Sequence, residues 1–156
     1  MVTLAPMTDE AYARWLPAAI HSYAADKVRV GAWPIDEAQE RSARAFAELL
    51  PDGPQTAGQE LRSIVTADGK TVGVLWFGPA GGGTDGVAFI WDIEVDEAYR
   101  GRGFGRAALQ ALEPLVLAQG YRAIGLHAFG DNEVARNLYR SAGYVETDVS
   151  MRKSLA

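Results

Sequence analysis

Apolar residues recur along the chain with two different periods, which separates helical segments from strands. Apolar positions three or four residues apart predict four helices, over residues 9–30, 36–50, 103–119 and 132–143. Runs rich in β-branched residues, bounded by glycine, proline or aspartate, predict six strands, over residues 2–6, 60–66, 71–77, 87–95, 122–128 and 144–154. The predicted order is therefore β-α-α-β-β-β-α-β-α-β.

Two local signals support this assignment. Thr8 stands directly before the first helical run and is expected to be its N-cap. Between the second and third strands, Asp68-Gly69 supplies the positive φ that a tight hairpin needs, so these two strands should pair antiparallel. Residues 78–86 are rich in glycine and are expected to form a flexible connection.

Composition places the chain among ordinary globular proteins and excludes several classes. With 156 residues, 48% of them hydrophobic and 22% charged, we expect one domain over residues 1–156. No apolar run reaches membrane-spanning length, and the N-terminus lacks the pattern of a secretory signal, so a cytoplasmic location is expected. The chain has no cysteine and two histidines, which argues against disulfides, a cysteine nucleophile and a metal site.

The formal net charge of −5 bears on the partners of the protein. Nucleic acids and anionic membranes select basic surfaces, so neither is expected as a partner. An acidic chain mildly favours a cationic substrate.

The segment from Val95 to Arg106 is the strongest candidate for chemistry. It joins a strand to a helix through a turn that interleaves glycines and arginines, namely Arg100, Gly101, Arg102, Gly103, Phe104, Gly105 and Arg106. Free N–H groups at a helix start attract anions, glycines allow a close approach, and guanidinium groups match phosphate oxygens. Arginines this close together would repel one another without an anion. The turn therefore predicts a binding site for a polyanion such as a diphosphate.

Two well-known phosphate loops do not match this segment. Gly69-Lys70-Thr71 lacks the upstream glycine of a nucleotide-hydrolase loop. Gly101, Gly103 and Gly105 are spaced by two and so break the dinucleotide pattern Gly-x-Gly-x-x-Gly.

The pattern Arg-x-x-Gly-x-Gly at Arg100, Gly103 and Gly105 resembles the acyl-CoA pyrophosphate loop of the GNAT N-acetyltransferase superfamily. Downstream, the run from Asn132 to Tyr144 is similar to the family signature Asn-x-x-Ala-x-x-Leu-Tyr-x-x-x-Gly-Phe/Tyr. The resemblance implies an α/β (α+β) fold, with a mixed, largely antiparallel central sheet and helices on both faces. It also implies acetyl-CoA as cofactor and the amine of a small molecule or peptide as acceptor. Family members often form homodimers, but the sequence leaves the oligomeric state open.

Site residues follow from the same resemblance. Backbone atoms of Ile93 and Val95 are expected to pair with the pantetheine arm, and the turn from Arg100 to Arg106 to hold the diphosphate. Asn132 and Ala135 match cofactor-contacting positions, although Asn132 also suits a helix cap. Tyr139 matches the family's general acid toward the thiolate of CoA. The alternative for Tyr139 is a core aromatic residue.

The general base is less well defined by the sequence. Asp92 and Glu94 lie at i and i+2 of a predicted strand, on the same face unless a bulge intervenes, and mutual repulsion with partial burial would raise one pKa. His127 and a water molecule remain alternatives, as does a structural role for both carboxylates. The sequence thus predicts an N-acetyltransferase that transfers the acetyl group directly in a ternary complex. A non-catalytic acyl-CoA-binding or partner-binding module of the same fold is the alternative.

Overall fold

The computed structural model describes residues 1–81 and 86–155. In chain order, its strands and α-helices are β1 (Val2–Pro6), α1 (Asp9–Arg29), α2 (Ile35–Leu49), β2 (Glu60–Thr66), β3 (Thr71–Pro79), β4 (Val87–Val95), α3 (Phe104–Ala118), β5 (Ala123–Leu126) and α4 (Glu133–Ser141). Each helix and the first five strands therefore lie where the sequence predicts them, within a few residues at their ends. Of the predicted flexible connection, residues 78 and 79 belong to β3, and residues 82–85 lie outside the described residues.

The five strands form one sheet in the order β1-β2-β3-β4-β5. The first three pairs are antiparallel, and β4 pairs with β5 in parallel. The β2–β3 hairpin turns at Gly69, which has φ of +87°, as the Asp-Gly signal predicts. The sheet is thus mixed and mostly antiparallel, as expected.

Helices cover both faces of the sheet, and each face has its own core. On one face, α3 buries Ala108, Leu109, Leu112 and Val116 against strand residues such as Ile64 and Phe77. On the other face, α1 and α2 contribute Trp15 and Phe46 to an aromatic cluster that includes Trp76 of β3. The sheet therefore packs between α1 and α2 on one face and α3 and α4 on the other.

Strand β4 pairs over different lengths on its two sides. On the β3 side, pairing runs as far as Val95, which lies opposite Gly73. On the β5 side, pairing ends at Ile90, which lies opposite Leu126. A bulge falls at the same point: Asp92 lies opposite Trp76 and Ile90 opposite Phe77, so Trp91 is an extra residue. Among the described residues, the C-terminal half of β4 consequently has one edge without a strand partner.

The predicted sixth strand over residues 144–154 is wrong, because the structure contains no strand there. Glu146 instead forms ion pairs with Arg136 and Arg140 of α4. At the other end of the segment, the Arg152 guanidinium donates to the Val30 carbonyl oxygen at the end of α1. These contacts hold the segment between α4 and α1 instead of along the edge of β5.

Candidate active site

The open edge of β4 presents backbone groups of Ile93 and Val95. The N–H of Asp96 donates to the Val72 oxygen at 2.8 Å, on the β3 side. Because bonding direction alternates along an antiparallel strand, the backbone groups of Val95 and Ile93 face the opposite side, away from β3. The Arg100 Nε donates to the Val95 oxygen at 2.9 Å, in agreement with that direction. An extended ligand arm could therefore pair with this edge.

The turn after β4 leads directly into the N-terminus of α3. Gly101 and Gly103 have φ of +75° and +82°, a region that disfavours residues with a Cβ. Helix α3 begins at Phe104 with no side-chain cap, and the N–H of Ala107 bonds to the Gly103 oxygen at 3.0 Å. The first N–H groups of the helix thus point outward at its positive end, where a phosphate would be stabilised.

The three arginines of the turn have different environments. Arg106 donates to the hydroxyl and the backbone oxygen of Ser141, both at 2.8 Å, and so ties α3 to the end of α4. Arg100 bonds to Val95 and lies 3.5 Å from a carboxylate oxygen of Glu94. Arg102 stacks over the Tyr99 ring at 5.8 Å and forms no ion pair within the described residues. Arg100 and Arg106 therefore each have hydrogen-bond acceptors within the protein, and the polyanion site at the turn stays a prediction.

Gly105 has a packing role that the sequence did not indicate. A Cβ at this position would lie 3.2 Å from Cδ2 of Leu138 on α4. The glycine therefore allows the start of α3 to approach α4 closely. This close approach brings the turn next to the helix that carries Tyr139.

Asp92 is a partly buried carboxylate on the face covered by α1 and α2. The indole Nε1 of Trp15 donates to its Oδ2 at 2.9 Å. Burial raises the pKa of Asp92 to about 6, and the nearby Glu94 and Asp26 charges also raise it. The Trp15 bond and the backbone N–H of Ile93 act in the opposite direction. A carboxylate with this pKa is mostly ionised at neutral pH and still basic enough to accept a proton.

Glu94 lies on the same face as Asp92, because their partners Val74 and Trp76 both contact the aromatic cluster. The bulge precedes Asp92 and so leaves the predicted alternation intact from Asp92 onward. The Glu94 side chain is 53% exposed and faces Arg100. Of the two carboxylates, Asp92 is the better suited to act as a base.

Tyr139 projects from α4 into the core between α3 and the sheet. It is half-buried, and its ring lies 5.9 Å from that of Tyr144. Burial raises the pKa of Tyr139, and the charge of Asp92 raises it further. The phenol is therefore protonated at neutral pH and close enough to Asp92 for their charges to interact.

Asn132 and Ala135 meet at the start of α4. The Asn132 side-chain oxygen accepts a hydrogen bond from the Ala135 N–H at 3.2 Å, so Asn132 is the N-cap that the sequence allows. Both residues lie on the first turn of the helix that carries Tyr139. Asn132 is exposed and Ala135 half-buried.

His127 is exposed and lies one residue beyond β5. Its ring lies 5.1 Å from that of Phe129. His127 and Tyr139 both line an open cavity of about 1430 Å³ bounded by β5, α4 and the end of α1. Lys27 also lies on its wall, with its ammonium 5.2 Å from the Trp33 ring. The histidine thus remains an alternative base on geometric grounds.

The sequence did not indicate Trp15 as a site residue. It lies 77 positions from Asp92, and an apolar position on a predicted helix carries no local signal for such a contact. A bulge was expected only as a general alternative, without a position. Both features depend on how distant segments pack.

Neither a metal-binding cluster nor a membrane-spanning helix is found in the described ranges, residues 1–81 and 86–155. No cluster of metal-binding side chains occurs there. Within the same ranges, no helix combines the length and apolar character needed to cross a bilayer. The prediction that no metal is used stays a prediction.

Comparisons with known proteins agree with this geometry. The chain is 37% identical over 154 residues to the uncharacterised N-acetyltransferase YycN of Bacillus subtilis, covering 99% of both chains. It is 31% identical over 153 residues to YdgE of the same organism, another uncharacterised N-acetyltransferase, covering 98% of both. A crystal structure of YycN superposes with a TM-score of 0.93 at 36% identity, covering 100% of this chain and 99% of that one.

At the level of fold alone, the chain is also similar to AAC(6')-Iy in complex with the bisubstrate analogue CoA-S-monomethyl-acetylneamine. The TM-score is 0.55 at 16% identity, covering 89% of this chain and 92% of that one. The model of the Acetyltransferase (GNAT) family matches residues 18–144. This match spans most of the chain, including the turn after β4 and the helix that carries Tyr139. The chain therefore belongs to the GNAT family of acetyltransferases.

Proposed function

We propose that the protein is an N-acetyltransferase that moves an acetyl group from acetyl-CoA directly to a primary amine in a ternary complex. The observation that carries this proposal is that the Asp92 carboxylate, hydrogen-bonded by Trp15, and the half-buried phenol of Tyr139 flank the open edge of β4 from its two faces. Asp92 is ionised and can accept the proton that the amine loses, and Tyr139 is protonated and can donate a proton to the departing thiolate.

Acetyl-CoA would supply the activated acetyl group and leave as the thiolate of CoA. The N–H groups at the start of α3 and the Arg102 guanidinium would hold its diphosphate. Backbone groups of Ile93 and Val95 would hold the pantetheine arm, and one of their N–H groups would polarise the acetyl carbonyl. Contacts from Arg100, Gly101, Gly103, Phe104, Gly105, Arg106, Asn132 and Ala135 belong to the same proposal.

The side chains then divide the proton transfers between them. Asp92 would accept the proton that the amine loses, either directly or through water, and Tyr139 would donate its proton to the departing thiolate. The pKa of Asp92, at about 6, suits the first step, and the raised pKa of Tyr139 suits the second. No cysteine is present in the chain, which agrees with transfer without an acetyl-cysteine intermediate.

The acceptor is proposed only as a class, a small molecule or peptide with a primary amine. The bisubstrate analogue bound to AAC(6')-Iy combines CoA with acetylneamine, which supports an amine acceptor for that protein. A homodimer and a cytoplasmic location, like the single domain over residues 1–156, remain predictions from the sequence.

Cofactor binding is tested by the melting temperature with and without acetyl-CoA. Saturation at about a hundred times Kd adds about 2.7 kcal/mol, which for this size is a rise on the order of 5 to 10 °C. Replacing Arg102 with alanine should raise Kd about tenfold, since one charged phosphate contact is lost. Arg44→Ala removes an exposed arginine of α2 and should leave Kd unchanged.

Turnover is tested by thiol release with a colorimetric thiol reagent, which gives no background from a chain without cysteine. The panel contains a polyamine, an aminoglycoside, an amino acid and a short peptide. Amine-dependent thiol release and an acetylated product support the transferase. Tight binding of acetyl-CoA with no amine-dependent release would favour the non-catalytic module. A wild-type protein without a thermal shift at millimolar acetyl-CoA would overturn both.

A further inference from the structure

The contact between Trp15 and Asp92 joins helix α1 to the centre of the site. The indole Nε1 donates to the Asp92 Oδ2 at 2.9 Å across 77 residues of sequence. Among the side chains of residues 1–81 and 86–155, Trp15 is the one hydrogen-bond donor to this carboxylate. A single side chain therefore sets how the carboxylate is oriented.

Trp15 is itself held rigidly by its aromatic neighbours. It is only 8% exposed, and its ring meets Trp76 edge-on at 5.7 Å and Phe46 at 6.0 Å. Tyr12 closes a further side at 5.7 Å. An indole ring enclosed in this way cannot rotate freely, so the direction of its N–H is determined by the core.

Neighbouring tryptophans do not share this role. Trp76, in contact with Trp15, donates its Nε1 to the Gln59 side-chain oxygen at 2.8 Å. Trp91 immediately precedes Asp92, yet its buried Nε1 has no protein acceptor in the described part of the chain. Trp15 is thus the member of the cluster that acts on Asp92.

The charges around Asp92 explain why such a donor matters. Glu94 on β4 and Asp26 on α1 both raise the pKa of Asp92, in addition to the effect of burial. Tyr139 on α4 is a neutral phenol whose own pKa is raised by burial and by the Asp92 charge. The two groups that lower the pKa are Trp15 and the backbone N–H of Ile93. Loss of the indole would leave the carboxylate protonated over a wider pH range.

We infer that Trp15 is a positioning residue, whose indole N–H orients the Asp92 carboxylate for proton transfer from the acceptor amine. This inference rests on the proposed function for its kinetic consequence. The hydrogen bond itself is testable without turnover. The hydrogen bond and its kinetic consequence can therefore be disproved independently.

The first experiment follows the indole N–H signals of the wild-type protein by ¹H–¹⁵N NMR between pH 5 and 7.5. Four tryptophans give four resolvable signals, and Trp15→Phe identifies the one from Trp15. We expect this signal to titrate with a midpoint near 6 and to lose that titration in Asp92→Asn. A Trp15 signal that does not respond to pH would overturn the inference.

The second experiment compares the pH dependence of kcat/KM in Trp15→Phe and Trp76→Phe. Both variants replace an indole with a phenyl ring in the same aromatic cluster, but only the first removes a donor to Asp92. We expect the acid limb to move up by about one pH unit in Trp15→Phe, since a charge-assisted bond is lost. In Trp76→Phe it should stay in place.

An unchanged acid limb in Trp15→Phe, or equal shifts in both variants, would overturn the positioning role. Survival of the acid limb in Asp92→Asn would instead remove Asp92 as the base and contradict the proposed mechanism. In that case the NMR titration still decides whether Trp15 controls the carboxylate. If Trp15→Phe fails to fold, Trp33→Phe, Trp76→Phe and Trp91→Phe identify the Trp15 signal by elimination, and the wild-type and Asp92→Asn spectra then provide the test.

Discussion

At the level of single residues, the site places two ionisable groups where burial changes their proton affinity. Asp92 lies among aromatic rings and near two other carboxylates, and its pKa rises to about 6. Tyr139 is half-buried, and its pKa rises as well. Desolvation favours the neutral form of both, but only Asp92 is brought near physiological pH. If Asp92 is the catalytic base, holding its ionised form in a buried position would therefore lower the free energy of unfolding.

This cost can be measured with Asp92→Asn. The folded-state pKa of about 6 exceeds the ordinary value of 3.8, so the stability that protonated Asp92 contributes is complete below pH 4 and is lost as pH rises through 6. The neutral asparagine should thus stabilise the protein by about 3 kcal/mol at pH 7.5. Urea unfolding at pH 7.5 and 4.5 should show this gain shrinking at the lower pH. An equal gain at both values would contradict the prediction.

Tyr139→Phe tests the proposed acid. Removing the hydroxyl should lower kcat by roughly ten- to a thousandfold, the range for general acids, while the Kd for acetyl-CoA changes little. Tyr144→Phe is a matched control, because its buried hydroxyl has no hydrogen-bond partner within residues 1–81 and 86–155. Steady-state kinetics and acetyl-CoA titrations of both variants give the answer. Unchanged turnover in Tyr139→Phe would remove the residue from the mechanism.

At the level of elements, the start of α3 meets the last turns of α4 beside the open edge of β4. The start of α3 has no side-chain cap, whereas the start of α4 is capped by Asn132. Arg106 connects α3 to the last turn of α4 through Ser141. The uncapped N–H groups are thus concentrated at the turn predicted to bind phosphate.

Asn132→Ala tests how much of this residue's role is structural. Loss of the cap should lower the free energy of unfolding by about 1 kcal/mol, whereas Asn132→Asp retains the acceptor oxygen and should preserve stability. Chemical denaturation measures both effects. If Asn132 also contacts acetyl-CoA, the aspartate should weaken binding although the fold is intact. If Asn132→Asp binds acetyl-CoA with normal affinity, Asn132 acts only as the cap of α4.

At the level of the whole molecule, the separation of β4 from β5 creates the site. Pairing stops at Ile90, the bulge adds Trp91, and the strand continues to Val95 with one free edge. The aromatic core then supports Asp92 from one face, and α4 brings Tyr139 from the other. The proposed catalytic and cofactor-binding residues all lie between residues 92 and 139, but the buried aromatic residues that support Asp92 come from the first half of the chain.

Hydrogen exchange can test this arrangement directly. Acetyl-CoA should slow exchange of the N–H groups of Ile93, Val95 and the first turn of α3, which face the open side. Amides of α2, which contributes no residue to the proposed cofactor site, serve as the internal control. We expect protection of about tenfold or more at the first set and little change at the second. Uniform protection of the whole sheet would indicate general stabilisation and not a bound arm.

Much of the fold was predictable because its signals are local. Thr8 and Asn132 cap their helices as their side chains indicate, and Gly69 turns the hairpin. The segment over residues 144–154 was predicted to be a strand, yet Glu146 and Arg152 bind elsewhere in the structure. Local propensity cannot account for such contacts, because both partners must first be brought together by folding.

The same distinction applies to the site. The sequence by itself determined the family, and it predicted the phosphate-binding turn and the candidate side chains, because these depend on residue types at short, regular spacings. Only the tertiary structure decided which arginine of the turn has neither a hydrogen bond nor an ion pair among the described residues, which carboxylate is desolvated, and that Trp15 holds it. Those properties arise from burial and from contacts across tens of residues, which no local pattern encodes.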